Sequence, residues 1–221
     1  MGKIDLVIFD MDGLMFDTEK LSKDIWTRVA EKYGYTFRKG FYDRAIGANS
    51  RTTEQMFYDD FGFDFPYDKL RKEKNLLMDE HLRKNKLVIK DGLIECIKYL
   101  KENKIKTAVA SSSGRVVIDN YMALANIQET FDYIISGDVV TKGKPHPEIF
   151  LKCLEYIGVK CENALVLEDS RNGILASIEA NIKVVFIPDL AVVEEEIQDK
   201  VYQKVKSLKE VPSIIEAINK K

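Results

Sequence analysis

Cysteine is scarce in this sequence, and no long apolar run is present. The three cysteines, Cys96, Cys153 and Cys161, are odd in number and lack CxxC spacing, which favours reduced structural thiols over disulfides or a zinc site. No stretch approaches the roughly 20 apolar residues of a membrane helix. An apolar run begins almost at the first residue, which leaves no room for a signal peptide. We therefore expect a cytoplasmic protein without a membrane partner.

Neither sign of charge dominates the composition. The chain carries 34 basic and 36 acidic residues, a formal net charge of −2. This balance argues against a nucleic-acid partner, which usually requires a basic excess. It does not argue against a small anionic ligand, because a local site can be basic within a neutral protein. Nothing in the sequence specifies an oligomer, so a monomer is the default expectation.

Short apolar runs alternate with segments of helical periodicity. The runs are rich in Val and Ile and cover residues 6–9, 107–110, 133–135, 164–167 and 184–187. Helical patterns cover residues 93–101, 116–125, 148–156 and 173–180. Runs this short and this apolar indicate strands that are buried on both faces of a parallel sheet. The alternation predicts an α/β fold with a doubly wound, Rossmann-like parallel sheet.

One interval interrupts this alternation. Residues 17–86 show helical spacing, turns and many aromatics but no buried-strand run. We predict a small α-helical cap domain at 17–86, inserted into a catalytic α/β core made of residues 1–16 and 87–221. An insertion directly after the first strand would lie over the carboxyl ends of the strands, where open α/β sheets bind ligands.

Two carboxylates, Asp10 and Asp12, follow the first apolar strand. Strand side chains alternate faces, so these two would point the same way. Like charges held that close repel, and one would take up a proton unless a positive charge lies between them. The pair therefore predicts a cation.

The ends of the other predicted strands supply complementary groups. The four strand-end segments are Asp10-Met11-Asp12-Gly13, Ser111-Ser112-Ser113-Gly114, Lys142-Gly143-Lys144-Pro145 and Glu168-Asp169-Ser170. In a parallel sheet they would meet in one crevice. Carboxylates suit Mg²⁺, while the helix N-terminus after Ser111 and the Lys144 ammonium suit a phosphoryl group. With a cation bound, Asp10 could stay ionised as a nucleophile and Asp12 could move protons.

At these residues the sequence resembles the haloacid dehalogenase-like phosphotransferases. The four motifs of that family occur here in the expected order, as Asp10 to Gly13, Ser111, Lys144 and Glu168-Asp169. The resemblance covers essentially the whole chain, including the helical insertion. The segments 9–14 and 16–19 are similar to the branch that contains β-phosphoglucomutase and many small-metabolite phosphatases.

The resemblance implies a role for each matching residue. Asp10 would attack phosphorus and form an aspartyl-phosphate, and Asp12 would act as general acid and base. Asp10, the main-chain carbonyl of Asp12, and Asp169 would bind Mg²⁺, with Glu168 as a direct or water-mediated ligand. Ser111 and Lys144 would bind the phosphoryl oxygens, and Ser112 is a further phosphate-binding candidate through its N–H group. In the cap, Arg51 and Lys74 are candidate substrate contacts, and Lys74 resembles a cap lysine of β-phosphoglucomutase.

These roles predict a Mg²⁺-dependent phosphatase for a small phosphomonoester, such as a sugar phosphate. A β-phosphoglucomutase-type mutase is the alternative. It is disfavoured because the mutase pattern has a histidine four residues after the threonine of Asp-Thr, where this chain has Ser22. A receiver-like Mg²⁺-binding signalling domain is the non-enzymatic alternative, but such domains are about half this length and lack the insertion. The sequence does not identify the substrate.

Overall fold

One six-stranded parallel sheet forms the centre of the protein, for which a computed structural model describes residues 2–220. The spatial order is β3-β2-β1-β4-β5-β6, and every neighbouring pair is parallel. The strands are β1 (Leu6–Phe9), β2 (Lys106–Ser111), β3 (Tyr133–Ser136), β4 (Ala164–Glu168), β5 (Lys183–Phe186) and β6 (Gln203–Lys204). The predicted α/β sheet is confirmed. Strand β6 was missed because it has only two residues, both exposed.

Helices cover both faces of the sheet. They are α5 (Leu93–Glu102), α6 (Arg115–Leu124), α7 (Glu148–Ile157), α8 (Arg171–Glu179), α9 (Glu195–Gln198) and α10 (Val211–Asn219). Strand β1 shows why two layers are needed, because its side chains alternate between faces. Leu6 and Ile8 pack in one apolar cluster with α7 and α8, whereas Val7 and Phe9 pack in the other with α5, α6 and α10.

Four helices follow β1 before the chain returns to the core. They are α1 (Glu19–Lys32), α2 (Phe41–Ala45), α3 (Ser50–Phe61) and α4 (Tyr67–Asn85). The chain leaves and re-enters the core at one place, where the Asp17 N–H donates to Val88 O at 3.0 Å and the Lys90 N–H donates to Met15 O at 2.9 Å. Domain boundaries near 16 and 87 are consistent with this crossing and remain our proposal. The predicted outer limits at residues 1 and 221 lie outside the described residues.

An aromatic cluster holds the inserted helices together. The ring centroid of Phe57 in α3 lies 4.9 Å from that of Trp26 in α1. It also lies 4.7 Å from Phe65 and 5.2 Å from Tyr67 at the start of α4. Phe57 is only 1% exposed. A single buried ring thus joins three helices of the insertion.

The remaining composition-based expectations concern thiols and membranes. All three cysteines are free in the structure, and Cys96 and Cys153 are buried. The prediction of unpaired thiols is confirmed. Among residues 2–220, no helix combines the length and apolar character needed to cross a membrane.

Replacing the ring at the centre of the insertion should destabilise the protein. We expect Phe57→Ala to lower the free energy of unfolding by about 3–5 kcal/mol, because it removes a buried aromatic ring and leaves a cavity. Phe63→Ala is the control, because Phe63 is 83% exposed and should change stability by no more than about 0.5 kcal/mol. Urea unfolding followed by circular dichroism measures both. Equal losses in the two variants would contradict the role given to Phe57.

Candidate active site

The four predicted motifs meet at the carboxyl edge of the sheet. Strand β1 lies between β2 and β4, with Phe9 opposite Val109 on one side and Leu167 on the other. The residues that follow these strands are therefore brought side by side. Asp10 occupies the middle position.

Lys144 is the cation around which the site is built. Its side chain is fully buried, and its Nζ donates to Asp10 Oδ1 at 2.6 Å and to Glu168 Oε1 at 2.6 Å. A third hydrogen bond, of 3.0 Å, goes to the carbonyl of Ala110. An ammonium has three donors, so every donor of Lys144 is used. This fixes the nucleophile candidate Asp10 in one orientation.

Glu168 anchors this arrangement. Its Oε1 accepts from Lys144, and its Oε2 accepts from the Asp169 N–H, the Ser170 N–H and the Ser170 hydroxyl at 2.9–3.1 Å. Gly173 is required beside it, because a Cβ at that position would collide with the Glu168 carboxylate. With both oxygens engaged, Glu168 orients Lys144 and the loop after β4.

Asp169, unlike Glu168, is a buried carboxylate whose oxygens are not engaged by the described residues. It is 0% exposed, and neither of its carboxylate oxygens has a hydrogen-bond partner among the described residues. A buried unpaired carboxylate is costly. One carboxylate oxygen from each of Asp10, Glu168 and Asp169 lies within 4.8 Å of the others. Clustered oxygens of this kind fit a hard divalent cation such as Mg²⁺.

Burial governs protonation in this cluster. It raises the pKa of Asp10 to about 8. The Glu168 carboxylate also raises this pKa, whereas the Lys144 ammonium lowers it. Burial and the carboxylates of Asp10 and Glu168 also raise the pKa of Asp169 well above its usual range. For Lys144, burial would lower the pKa, but Asp10 and Glu168 raise it above its ordinary value. Burial thus favours proton uptake by Asp10 and Asp169 when no cation is bound, and cation binding would release those protons.

Asp12 lies outside this cluster and is held by two hydroxyls. Thr18 Oγ donates to its Oδ1 at 2.8 Å, and Ser113 Oγ donates to its Oδ2 at 2.8 Å. Thr18 precedes the first inserted helix, whereas Ser113 follows β2. The carboxyl of Asp12 is thus oriented jointly by the insertion and the core, at the wall of the cavity described below.

The two predicted phosphate-binding serines occupy different positions. Ser111 is 1% exposed, and its Oγ accepts from the Ser113 N–H at 3.0 Å. Ser112 lines the cavity, and its Oγ donates to the carbonyl of Gly47 in the insertion at 2.7 Å. The first N–H of α6 is already bonded to Asp138 Oδ2. Phosphate binding by these serines stays a prediction.

A cavity of about 670 Å³ separates the inserted helices from the sheet edge. Pockets for small metabolites usually have volumes of about 300–1,000 Å³. Its wall carries both signs of charge. The acidic lining residues are Asp10, Asp12, Glu19, Asp79 and Asp138, and the basic ones are Arg71, Lys74 and Arg83.

Lys74, predicted as a substrate contact, faces the catalytic end of this cavity. Burial lowers its pKa, while the carboxylates of Asp12 and Glu19 act in the opposite direction. Burial, together with Asp12 and Asp10, raises the pKa of Glu19 to about 8. A lysine and a carboxyl from the insertion therefore stand opposite the candidate acid–base residue, where they can contact the part of a substrate beyond its phosphate.

Arg51, the other residue of the insertion predicted to contact substrate, lies away from the cavity. This side chain is exposed, is absent from the cavity wall, and donates to the carbonyl of Thr141 at 3.4 Å. It joins α3 to the loop before Lys144. Arg71 is the arginine that lies in the cavity, where its Nη2 donates to Ser50 Oγ at 2.5 Å.

Sequence reasoning missed Thr18, Glu19 and Arg71. A signal existed for Arg71, since it lies three residues before Lys74 and thus on the same face of α4. Thr18 and Glu19 belong to a segment that the family resemblance already included. Their roles depend on contacts with Asp12 and Lys74, which sequence spacing alone does not reveal.

Comparison with known proteins agrees with this geometry. The sequence profile described as haloacid dehalogenase-like hydrolase matches residues 7–187. A phosphorylated carbohydrates phosphatase from Thermotoga maritima is 31% identical over 187 residues, which cover 83% of this chain and 84% of that protein. The chain belongs to the haloacid dehalogenase-like hydrolase family. The resemblance seen in the motifs is confirmed, and family membership argues against a receiver-like domain.

Two further relatives show the range of this hydrolase family. Hexitol phosphatase B from Escherichia coli is 25% identical, with 82% of each chain covered. A crystal structure of β-phosphoglucomutase from Clostridium difficile superposes with a TM-score of 0.83 at 25% identity, covering 98% of both chains. The phosphatases among these relatives support the prediction of a phosphoric monoester hydrolase.

The buried carboxyls predict how stability depends on pH in the cation-free hydrolase. The pKa of Asp10 is raised from 3.8 to about 8, and that of Glu19 from 4.5 to about 8. The folded state therefore binds protons that the unfolded chain has released, and stability should fall as the pH rises from about 4 to about 8.

Urea unfolding in EDTA at about pH 5, 6.5 and 8 measures this dependence. Saturating Mg²⁺ should reduce the slope, because a bound cation replaces the protons. A cation-free protein that is more stable at about pH 8 than at about pH 5 would contradict the assigned pKa shifts.

Proposed function

We propose that this hydrolase is a Mg²⁺-dependent phosphatase for a small phosphorylated carbohydrate and that it acts through an aspartyl-phosphate on Asp10. The observation that carries the proposal is the arrangement at the sheet edge. Asp10 is fixed by a saturated, buried Lys144 and stands beside the unpartnered carboxylate of Asp169.

The cation would be held by Asp10 and Asp169, with the main-chain carbonyl of Asp12 as a further ligand and Glu168 nearby. When bound, Mg²⁺ would neutralise charge on the phosphoryl oxygens and keep Asp10 ionised. Glu168 contributes mainly by orienting Lys144, since both of its oxygens already accept hydrogen bonds. Lys144 would add positive charge next to the transferring group.

In the first step, a carboxylate oxygen of Asp10 attacks phosphorus, and the bond from phosphorus to the substrate oxygen breaks. Asp12 gives a proton to the leaving oxygen, so the product departs as an alcohol. Its carboxyl is already held between Thr18 and Ser113 at the cavity wall. One of those hydroxyls must release it for this transfer.

In the second step, Asp12 takes a proton from water, and the resulting hydroxide attacks the aspartyl-phosphate. The acyl phosphate P–O bond breaks, which releases inorganic phosphate and restores Asp10. The inserted helices would exclude other nucleophiles by covering the sheet edge. Contacts from Ser112 to Gly47 and from Arg51 to Thr141 already link the insertion to the core.

The cavity supports a substrate rich in hydroxyl groups. Its acidic and basic side chains offer acceptors and donors close to one another, which suits a polyol better than an apolar alcohol. Relatives named as phosphatases of phosphorylated carbohydrates and hexitols are consistent with this class.

A phosphosugar mutase is the second candidate. It is favoured by the structural similarity to β-phosphoglucomutase and by the placement of Lys74 in the cavity. It is disfavoured by Ser22, which lines the cavity where the mutase pattern has histidine. Assays of phosphate release from β-glucose 1-phosphate, run beside formation of glucose 6-phosphate, distinguish the two. If glucose 6-phosphate forms faster than phosphate is released, the protein is a mutase and the proposed phosphatase activity is wrong.

Removal of the nucleophile should abolish turnover. We expect Asp10→Asn to lower kcat by about 10⁴-fold or more, because a neutral amide cannot attack phosphorus. EDTA should have a comparable effect that excess Mg²⁺ reverses. Phosphate release from a panel of sugar, polyol and nucleoside phosphates is the measurement. Asp17→Asn, at an exposed position, is the matched control and should retain activity. Full activity of Asp10→Asn would refute the mechanism.

Lys74 should act on the substrate rather than on the fold. We expect Lys74→Met to lower kcat/KM by about 10–100-fold on the best substrate of the panel, since it removes a charged hydrogen-bond donor from the cavity. Lys72→Met changes an exposed lysine of the same helix and should have little effect. Steady-state kinetics of both variants test this. Equal kinetics in the two would remove Lys74 from the substrate site.

A further inference from the structure

A fourth carboxylate, that of Asp189, approaches the site from a strand that carries none of the four motifs. Asp189 follows β5, which pairs with β4 so that Phe186 lies opposite Glu168. The Ile187 N–H donates to the carbonyl of Glu168 at 2.8 Å. The segment after β5 therefore runs directly beside the loop that carries Asp169.

The two oxygens of Asp189 have different surroundings. Oδ1 accepts from Lys90 Nζ at 2.6 Å. Oδ2 is buried and has no hydrogen-bond partner among residues 2–220. The ion pair of Asp91 with Lys209 differs, because its side chains are 65% and 54% exposed and water can reach the second oxygen of Asp91.

Gly13 shows where the free oxygen of Asp189 points. This glycine has a φ of +84°, and a Cβ built on it would collide with Asp169 Oδ2 and lie 3.2 Å from Asp189 Oδ2. The unpartnered oxygens of two carboxylates thus face the same small volume. Asp169 is completely buried there. Asp189 is not one of the three residues whose carboxylates cluster within 4.8 Å of one another.

We propose that Asp189 is a positioning residue of the metal site, which accepts a hydrogen bond from water in the hydration shell of the cation. Mg²⁺ usually keeps several waters when only a few carboxylates bind it, and those waters need acceptors. The Oδ2 atom is an acceptor without a donor, on the Asp169 side of the cluster. This inference rests on the proposed Mg²⁺ site.

Lys90 fixes the orientation of the Asp189 carboxylate. Its ammonium holds Asp189 Oδ1, so the free oxygen keeps one direction, and it offsets one charge of an otherwise acidic region. Its backbone N–H bonds to Met15 O at the point where the chain returns from the insertion. Lys90 therefore links the segment that returns from the insertion to the surroundings of the proposed cation.

Mg²⁺ affinity, measured by isothermal titration calorimetry without substrate, tests the proposal directly. We expect Asp189→Asn to weaken binding by about 10–100-fold, the range typical for residues that orient ligands or waters at a metal. Asp91→Asn also removes one carboxylate from a lysine pair and should bind Mg²⁺ like the unmodified protein. Affinity within twofold of the unmodified protein in Asp189→Asn would overturn the proposal.

Salt separates a water-mediated contact from a general charge effect. The ratio of the Mg²⁺ dissociation constants of Asp189→Asn and the unmodified protein should persist between about 0.1 M and about 1 M potassium chloride, although the Debye length falls from about 10 Å to about 3 Å. A ratio that disappears at high salt would reduce Asp189 to a distant charge and overturn the assignment. Asp189→Ser, with a smaller side chain, replaces the asparagine variant if that variant does not fold.

Unfolding experiments distinguish positioning from support of the fold. Asparagine keeps an acceptor for Lys90 and removes a negative charge, so Asp189→Asn should not be less stable than the unmodified protein in EDTA. It should gain less stability from Mg²⁺. Equal losses with and without Mg²⁺ would indicate a structural role and overturn the proposal. Failure of the unmodified protein to bind Mg²⁺ would instead overturn the proposed function, and this inference with it.

Discussion

The bridge from Lys144 to Asp10 and Glu168 is the interaction on which the rest of the site depends. A buried ammonium is tolerated only with charged partners and fully used donors, and Lys144 has both. Its single positive charge stands against the three carboxylates of Asp10, Glu168 and Asp169. The surplus of two negative charges equals the charge of one divalent cation, so the same bridge that orients the proposed nucleophile is consistent with the proposed metal site.

The sheet edge and the inserted helices contribute different kinds of side chain to the site. The sheet edge supplies groups fixed by short buried hydrogen bonds, whereas the inserted helices supply Glu19, Arg71 and Lys74 along a wider cavity. The carboxyl of Asp12 is where the two parts meet, since it takes one hydroxyl from each. Under the proposed function, the sheet edge would carry out the chemistry and the inserted helices would contact the rest of the substrate.

Sequence patterns predicted most of this architecture because the signals were local. Five strands were visible as apolar runs buried on both faces, and the ends of parallel strands must meet at one edge. What escaped prediction depended on distant partners. Arg51 and Arg71 both lie on inserted helices, but only the packing of those helices decides which faces the cavity. Asp189 is 99 residues from Lys90, so no spacing rule could pair them. Strand β6 is too short to leave a pattern.

The pairing of Phe16 with Ile89 joins the entrance and exit of the helical insertion into a single narrow stem. Such a stem limits the covalent connection between the insertion and the core to two neighbouring segments of chain. A gene could exchange the segment between its two crossings without altering any catalytic strand, provided that Thr18 still reaches Asp12. Recombination at this stem offers a route by which one hydrolytic core could acquire new specificities in a single event, rather than by accumulating point substitutions.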